Sequence, residues 1–151
     1  MPREKNIKNL KTEKEGIQIL KEEISNFHTP NIEERKYIYK VLDIDYKKYS
    51  RSVDGIILNV PNISDIRTEK DVMLVEIKTT KAKNAKELPY GAFFGITKNE
   101  EDLFKAKTNY RLCIVHSIHR NYVLIKYEEY IDLIQNKRIQ YQVNFKSKKL
   151  I

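Results

Sequence analysis

At 151 residues, with 40% hydrophobic and 33% charged side chains, the chain is too short for a two-domain enzyme and too apolar for a disordered polypeptide. Its 29 lysines and arginines against 21 acidic residues leave +8, a surplus that favours polyanions, nucleic acid or an anionic membrane surface, as partners. The single cysteine, Cys113, excludes an intramolecular disulfide and a zinc-finger cluster. No uncharged run is longer than residues 88–97, too short to span a bilayer, and the lysine-rich N-terminus lacks an apolar leader core, so a cytoplasmic protein without membrane contact is expected.

Residues 1–11 are polar and read as a flexible N-terminus ahead of one domain, 12–151. Thr12-Glu13-Lys14-Glu15 has the spacing of a capping box, and Ile17, Leu20, Ile24 and Phe27 follow as one helical apolar stripe. After Thr29-Pro30, residues 32–42 fit a second helix, but Tyr37, Tyr39 and Val41 also alternate as in a strand, and both readings stay open. Residues 53–60, which end at Pro61, and residues 72–79 are short runs rich in β-branched side chains and read as strands. Residues 93–96 read as a further strand. Thr97-Lys98-Asn99-Glu100 is a second capping box, opening a helix to about Lys107. Residues 110–118 and 122–127 read as strands joined around His119-Arg120-Asn121. Residues 128–136 look helical, and 138–145 alternate like a last strand. Interleaved helices and strands predict an α/β domain with a central mixed β-sheet flanked by helices.

The chemistry-bearing residues are Asp54 on the first clear strand and Glu76-Ile77-Lys78 on the second. Side chains alternate along a strand, so Glu76 and Lys78 share a face with Val72 and Leu74. A hairpin closed at Val60 and Val72 puts Asp54 opposite Lys78; slipping it by two residues puts Asp54 opposite Glu76. Only an odd slip separates the three, so they gather at one end of an otherwise apolar face, where unpaired charge is costly. Two close carboxylates suit Mg²⁺, a hard cation that prefers oxygen and keeps several waters, and the Ile77 carbonyl is available as a further ligand. Such a cation activates water and neutralises charge building on a phosphate, and a lysine alongside stabilises the transition state. The competing reading is a pair of cross-strand ion pairs on a solvated face.

Val53-Asp54-Gly55, followed by Leu74-Val75-Glu76-Ile77-Lys78-Thr79-Thr80, resembles the core of the PD-(D/E)XK nuclease superfamily. Phe93-Phe94-Gly95-Ile96-Thr97-Lys98-Asn99-Glu100 and then Tyr110-Arg111-Leu112-Cys113-Ile114-Val115 resemble its branch related to the C-terminal domain of the plant protein NO VEIN. The resemblance covers residues 52–115. It implies a restriction-endonuclease-like core, with Asp54 and Glu76 as metal ligands and Lys78 as the catalytic lysine. Val53 departs from it, standing where the superfamily's name has proline.

Many such folds add a carboxylate from the first helix, for which Glu23 is the candidate, while Glu15 reads as a cap. Thr97 and Glu100 are explained by capping. Lys81, Lys83 and Lys86 follow the Glu76–Lys78 strand and are candidates for DNA backbone contacts, whereas Lys146, Lys148 and Lys149 read as a solubility feature. His116 and His119 have odd spacing and are expected to face opposite ways; Cys113 reads as core. No Walker loop or dinucleotide fingerprint points to a nucleotide cofactor. The expected function is a Mg²⁺-dependent endodeoxyribonuclease (Mn²⁺ a possible substitute) acting on duplex DNA in restriction or defence, with a homodimer favoured for cutting two strands. The rivals are a non-catalytic nucleic-acid-binding module with the same fold, and a structural domain whose Glu76 and Lys78 form a salt bridge.

Overall fold

The structure, a computed structural model, describes residues 2–83, 85–141 and 143–147, with only the backbone described for residues 2–11 and 85. The first helix, α1, spans Pro2–Glu23, so it starts well before Thr12. No glycine or proline interrupts residues 3–15, and a proline costs a helix nothing in its first turn. Thr12 and Glu15 are therefore interior positions, not caps. Ile24 and Phe27, the last two members of the apolar stripe, lie past the helix end, and Phe27 opens the short strand β1 (Phe27–His28). The segment open between helix and strand is α2 (Ile32–Val41). A capping box decides it: Asn31 accepts from the Glu34 N–H at 2.8 Å, and Glu34 accepts from the Asn31 N–H at 2.9 Å.

A single turn, α3 (Tyr46–Tyr49), leads to β2 (Gly55–Leu58). Two 3₁₀ turns, Ile63–Asp65 and Glu69–Asp71, then lead into β3 (Val72–Thr80). After α4 (Lys98–Ala106) come β4 (Tyr110–His116), β5 (Tyr122–Ile125) and α5 (Tyr127–Leu133). The five strands form one mixed sheet in chain order, antiparallel except for the parallel pair β3–β4. On one face Ile56, Leu58, Leu74, Leu112 and Ile114 pack under α2, α4 and α5 through Ile38, Leu103, Phe104 and Tyr130. On the other, Ile57, Val75, Ile77, Cys113 and Val115 pack under Ile19 and Leu20 of α1. The expected α/β architecture with a helix-flanked mixed sheet is what forms. Cys113 is core, and burial pushes its thiol up to about 12. Among the described residues no helix is long and apolar enough to cross a membrane.

Two expected strands do not form. Residues 93–96 are irregular and pair with no strand, with Phe93 86% exposed. Residues 138–141 and 143–145 carry the alternating pattern but pair with no strand. Their Ile139, Tyr141, Val143 and Phe145 are exposed.

Gly55, directly after Asp54, holds β1 close. A Cβ there would collide with the Phe27 ring and come within 3.2 Å of the His28 carbonyl oxygen. Gly55→Ala should therefore cost about 1–3 kcal/mol through overpacking. A thermal melt indistinguishable from wild type would show that the Phe27 ring yields freely.

Candidate active site

β2 and β3 pair with Gly55 opposite Val75 and Leu58 opposite Val72, the slipped of the two registers, which brings Asp54 alongside Glu76. Asp54 stands one residue before β2. Its N–H donates to the Val75 carbonyl at 2.9 Å, and its Oδ2 accepts from the Ile77 N–H at 2.8 Å. The Asp54 carboxylate thus turns into the open edge of β3 beyond the end of β2. N–H and C=O of one strand residue point to the same side, so the Ile77 carbonyl faces that edge as well.

Glu76 stands on the α4 face of the sheet and is 4% exposed. Lys78, two residues on and on the same face, places its Nζ 3.3 Å from Glu76 Oε1 and 3.4 Å from Glu100 Oε1. Glu100 belongs to the capping box of α4: its Oε1 accepts the Thr97 N–H at 2.8 Å, and its own N–H donates to Thr97 Oγ1 at 3.1 Å. The expected cap is present, and it also fixes a third carboxylate against Lys78. Helix α1 adds a fourth. Gly16 crosses β3 against Ile77 and Thr79, and Glu13, one turn earlier on the same helix face, reaches Asp54.

Several carboxyls around one ammonium cannot all ionise cheaply. Burial, with Glu100 and Asp54 beside it, pushes Glu76 up to about 12, so its carboxyl is protonated at neutral pH. Burial would raise Glu100 too, but the protonated Glu76, Lys78 and the Thr97 N–H together hold it below its ordinary value. Burial and Glu13 raise Asp54 to about 6 against the lowering bond from Ile77. Burial works against the Lys78 ammonium, yet Glu76 and Glu100 outweigh it and raise its pKa. Lys78 Nζ donates to both Glu100 oxygens, at 3.4 and 3.5 Å, and lies 3.3 Å from Glu76 Oε1.

Glu76 Oε2 is buried and has no hydrogen-bond donor. That orphaned oxygen, the Asp54 carboxylate and the Ile77 carbonyl make an all-oxygen donor set, which fits a hard divalent cation. Among the described residues no group of three or more His, Cys, Asp or Glu is arranged to hold a metal ion. A cation here would rest on two carboxylates, a carbonyl and water, as Mg²⁺ commonly does.

The first-helix carboxylate at this site is Glu13; Glu23 is exposed at the far end of α1, about ten residues or 15 Å along the axis. The helical face shared by Glu13, Gly16 and Leu20 is visible in the sequence, but not which point of the helix crosses β3. Lys81, Lys83 and Lys86 are exposed after β3. Lys81 opens on the α1 side, in a cleft of about 420 Å³ shared with Gln18, Ser117 and Arg120. His116 and His119 do not face apart: β4 ends at His116 and the rings lie 4.8 Å from each other. His116 is committed to the protein, its Nδ1 accepting the His119 N–H and its Nε2 bonded to the Ala82 carbonyl. Lys146 is exposed; Lys148 and Lys149 lie outside the described residues.

No family model matches the chain, and no curated protein or solved structure is significantly similar to it.

Proposed function

We propose that this chain is a divalent-metal-dependent DNA endonuclease of the PD-(D/E)XK kind, with a restriction-endonuclease-like core, acting in restriction or another defence against foreign DNA. The observation that carries the reading is the buried Asp54–Glu76 pair with an unsatisfied Glu76 oxygen, next to a lysine on the same face. Mg²⁺, or Mn²⁺ in its place, would be held by Asp54, Glu76 and the Ile77 carbonyl and would supply charge neutralisation and water activation. Asp54, aligned by the Ile77 N–H, orients that end of the site. Lys78 presents a cation to the phosphate oxygens as charge develops, and Glu100 and Thr97 hold the lysine in place. Attack by water on phosphorus would leave a 5′-phosphate and a 3′-hydroxyl, and a homodimer would present two such sites to a duplex.

A purely structural ion cluster accounts for Lys78 and Glu100. It leaves unexplained why two further carboxyls, Asp54 and Glu76, are brought in at the cost of holding one protonated.

The test is incubation of supercoiled plasmid with the protein and Mg²⁺ or Mn²⁺, with an EDTA control and Asp54→Asn alongside. Nicked or linear product is expected from wild type with metal only. Intact plasmid at every metal concentration, from protein shown to be folded, would sink the nuclease reading.

A further inference from the structure

A second cleft, of about 250 Å³, opens between the end of α4, the start of β4 and the start of α5. Four cations line it: Lys105, Lys107, Arg111 and Lys126, with Glu128 as the one carboxylate. Among the described residues none of the four makes an ion pair. A favourable interaction with the α4 C-terminus accounts for Lys105 and Lys107, and Lys107 Nζ also donates to the Leu42 carbonyl at 2.8 Å. It does not account for Arg111 on β4 or for Lys126. Arg111 is also held in place: one guanidinium nitrogen donates to the Thr108 and Tyr110 carbonyls at 2.6 and 2.9 Å, which leaves its other donors for a ligand. Tyr127, half-buried and edge-on to Phe104, supplies an aromatic wall. Tyr110 lines the same cleft while its hydroxyl donates to the Ser52 carbonyl, two residues before Asp54, so cleft and carboxyl cluster share a wall.

We propose that this cleft is a phosphate-binding site for a polynucleotide strand, with Lys105, Arg111 and Lys126 on backbone phosphates and Tyr127 against a sugar or base. Cations gathered with a single carboxylate among them repel one another and attract a polyanion. At about 250 Å³ the cleft is smaller than the roughly 300–1,000 Å³ pockets that enclose a whole small molecule, so it takes one piece of a longer ligand. Cations beside an aromatic wall are the chemistry of a strand-tracking groove. The choice of a polynucleotide over free phosphate rests on the nuclease reading above; the anion site itself does not.

The test is fluorescence anisotropy of a labelled DNA duplex and of its single strand in EDTA, across a salt series, for wild type and the triple variant Lys105→Gln/Arg111→Gln/Lys126→Gln. Lys107 is left intact because it bonds the Leu42 carbonyl. The triple variant should bind at least tenfold more weakly at low salt, and its slope of log K against log salt should fall by about two to three units, near 0.9 for each phosphate that is no longer neutralised. Lys105→Glu, an exposed single change that leaves packing untouched, should weaken binding in the same direction if the triple variant fails to fold. Unchanged affinity and slope in the folded variants would overturn the proposal. So would inorganic phosphate binding at the cleft without any DNA binding by wild type. Cleavage assays in Mg²⁺ separate the two claims. DNA binding through the cleft with no cleavage would sink the nuclease reading alone, whereas cleavage with cleft-independent binding would sink this one alone.

Discussion

Glu76→Gln should raise the melting temperature of the metal-free protein and abolish DNA cleavage. A carboxyl whose folded pKa is about 12, against an ordinary 4.5, stabilises fully only below pH 4.5 or so, and loses that contribution as the pH rises toward the folded value. By pH 7 the wild type has lost about 3 kcal/mol at this one position. Glutamine is neutral at every pH. Its amide takes the place of the carboxyl beside Lys78 and offers a donor where Glu76 Oε2 has no partner. The gain should vanish below about pH 4 and reach on the order of 5–10 °C in Tm at pH 7. The same change removes a carboxylate proposed to hold the metal, so turnover should fall by at least about a thousandfold. A variant no more stable than wild type at pH 7 would mean that Glu76 is ionised in the free protein. Full cleavage by it would refute the site.

Lys78→Met should have the opposite effect on stability. Lys78 lies between Glu76 and Glu100 with its side chain 17% exposed, and removing one partner of a buried charge cluster costs about 3–5 kcal/mol. The penalty should shrink at acid pH, where Glu100 takes up a proton, and Lys78→Met combined with Glu76→Gln should recover part of it, giving a clear coupling in a double-mutant cycle. Single-turnover cleavage at saturating DNA should drop by about a hundred- to a thousandfold while DNA affinity in EDTA changes little, because the interaction belongs to the transition state. If Lys78→Met loses affinity yet cleaves normally at saturation, Lys78 is a phosphate anchor instead.

Strand alternation is enough to put Glu76 and Lys78 on one face and Asp54 opposite one or the other of them, because a slip of two residues does not change the face on which a side chain stands. It cannot choose between the two registers. That choice is made by contacts far apart in the chain: the Asn26 side chain and backbone bond Leu58, and the Asn59 N–H closes on the Asp71 carbonyl, so the ladder ends at Leu58–Val72. Nor does alternation show that Asp54 leaves the face and accepts the Ile77 N–H at the strand edge. Thr97 and Glu100 are legible as a cap because capping is a local interaction. The second contact of Glu100, with Lys78, exists only because α4 packs on that face of the sheet. For the same reason the sequence points to Glu23 and passes over Glu13: helical spacing fixes a face but not the crossing point. The pattern in residues 138–145 fails differently. A strand needs a partner with unpaired backbone groups, and sequence alternation carries no information about whether one is in reach.

Asp54 and Glu76 are proposed to hold a divalent cation together. Titrating Mn²⁺ into the DNA-free protein and following the free-ion electron paramagnetic resonance signal tests it without relying on cleavage. Asp54→Asn keeps an oxygen for the Ile77 N–H and should stay folded, which a thermal melt verifies. Wild type should remove one Mn²⁺ per chain, with Mg²⁺ competing, and Asp54→Asn and Glu76→Gln should each weaken that binding at least tenfold. Equal free-ion signals for wild type and both folded variants would contradict the claim.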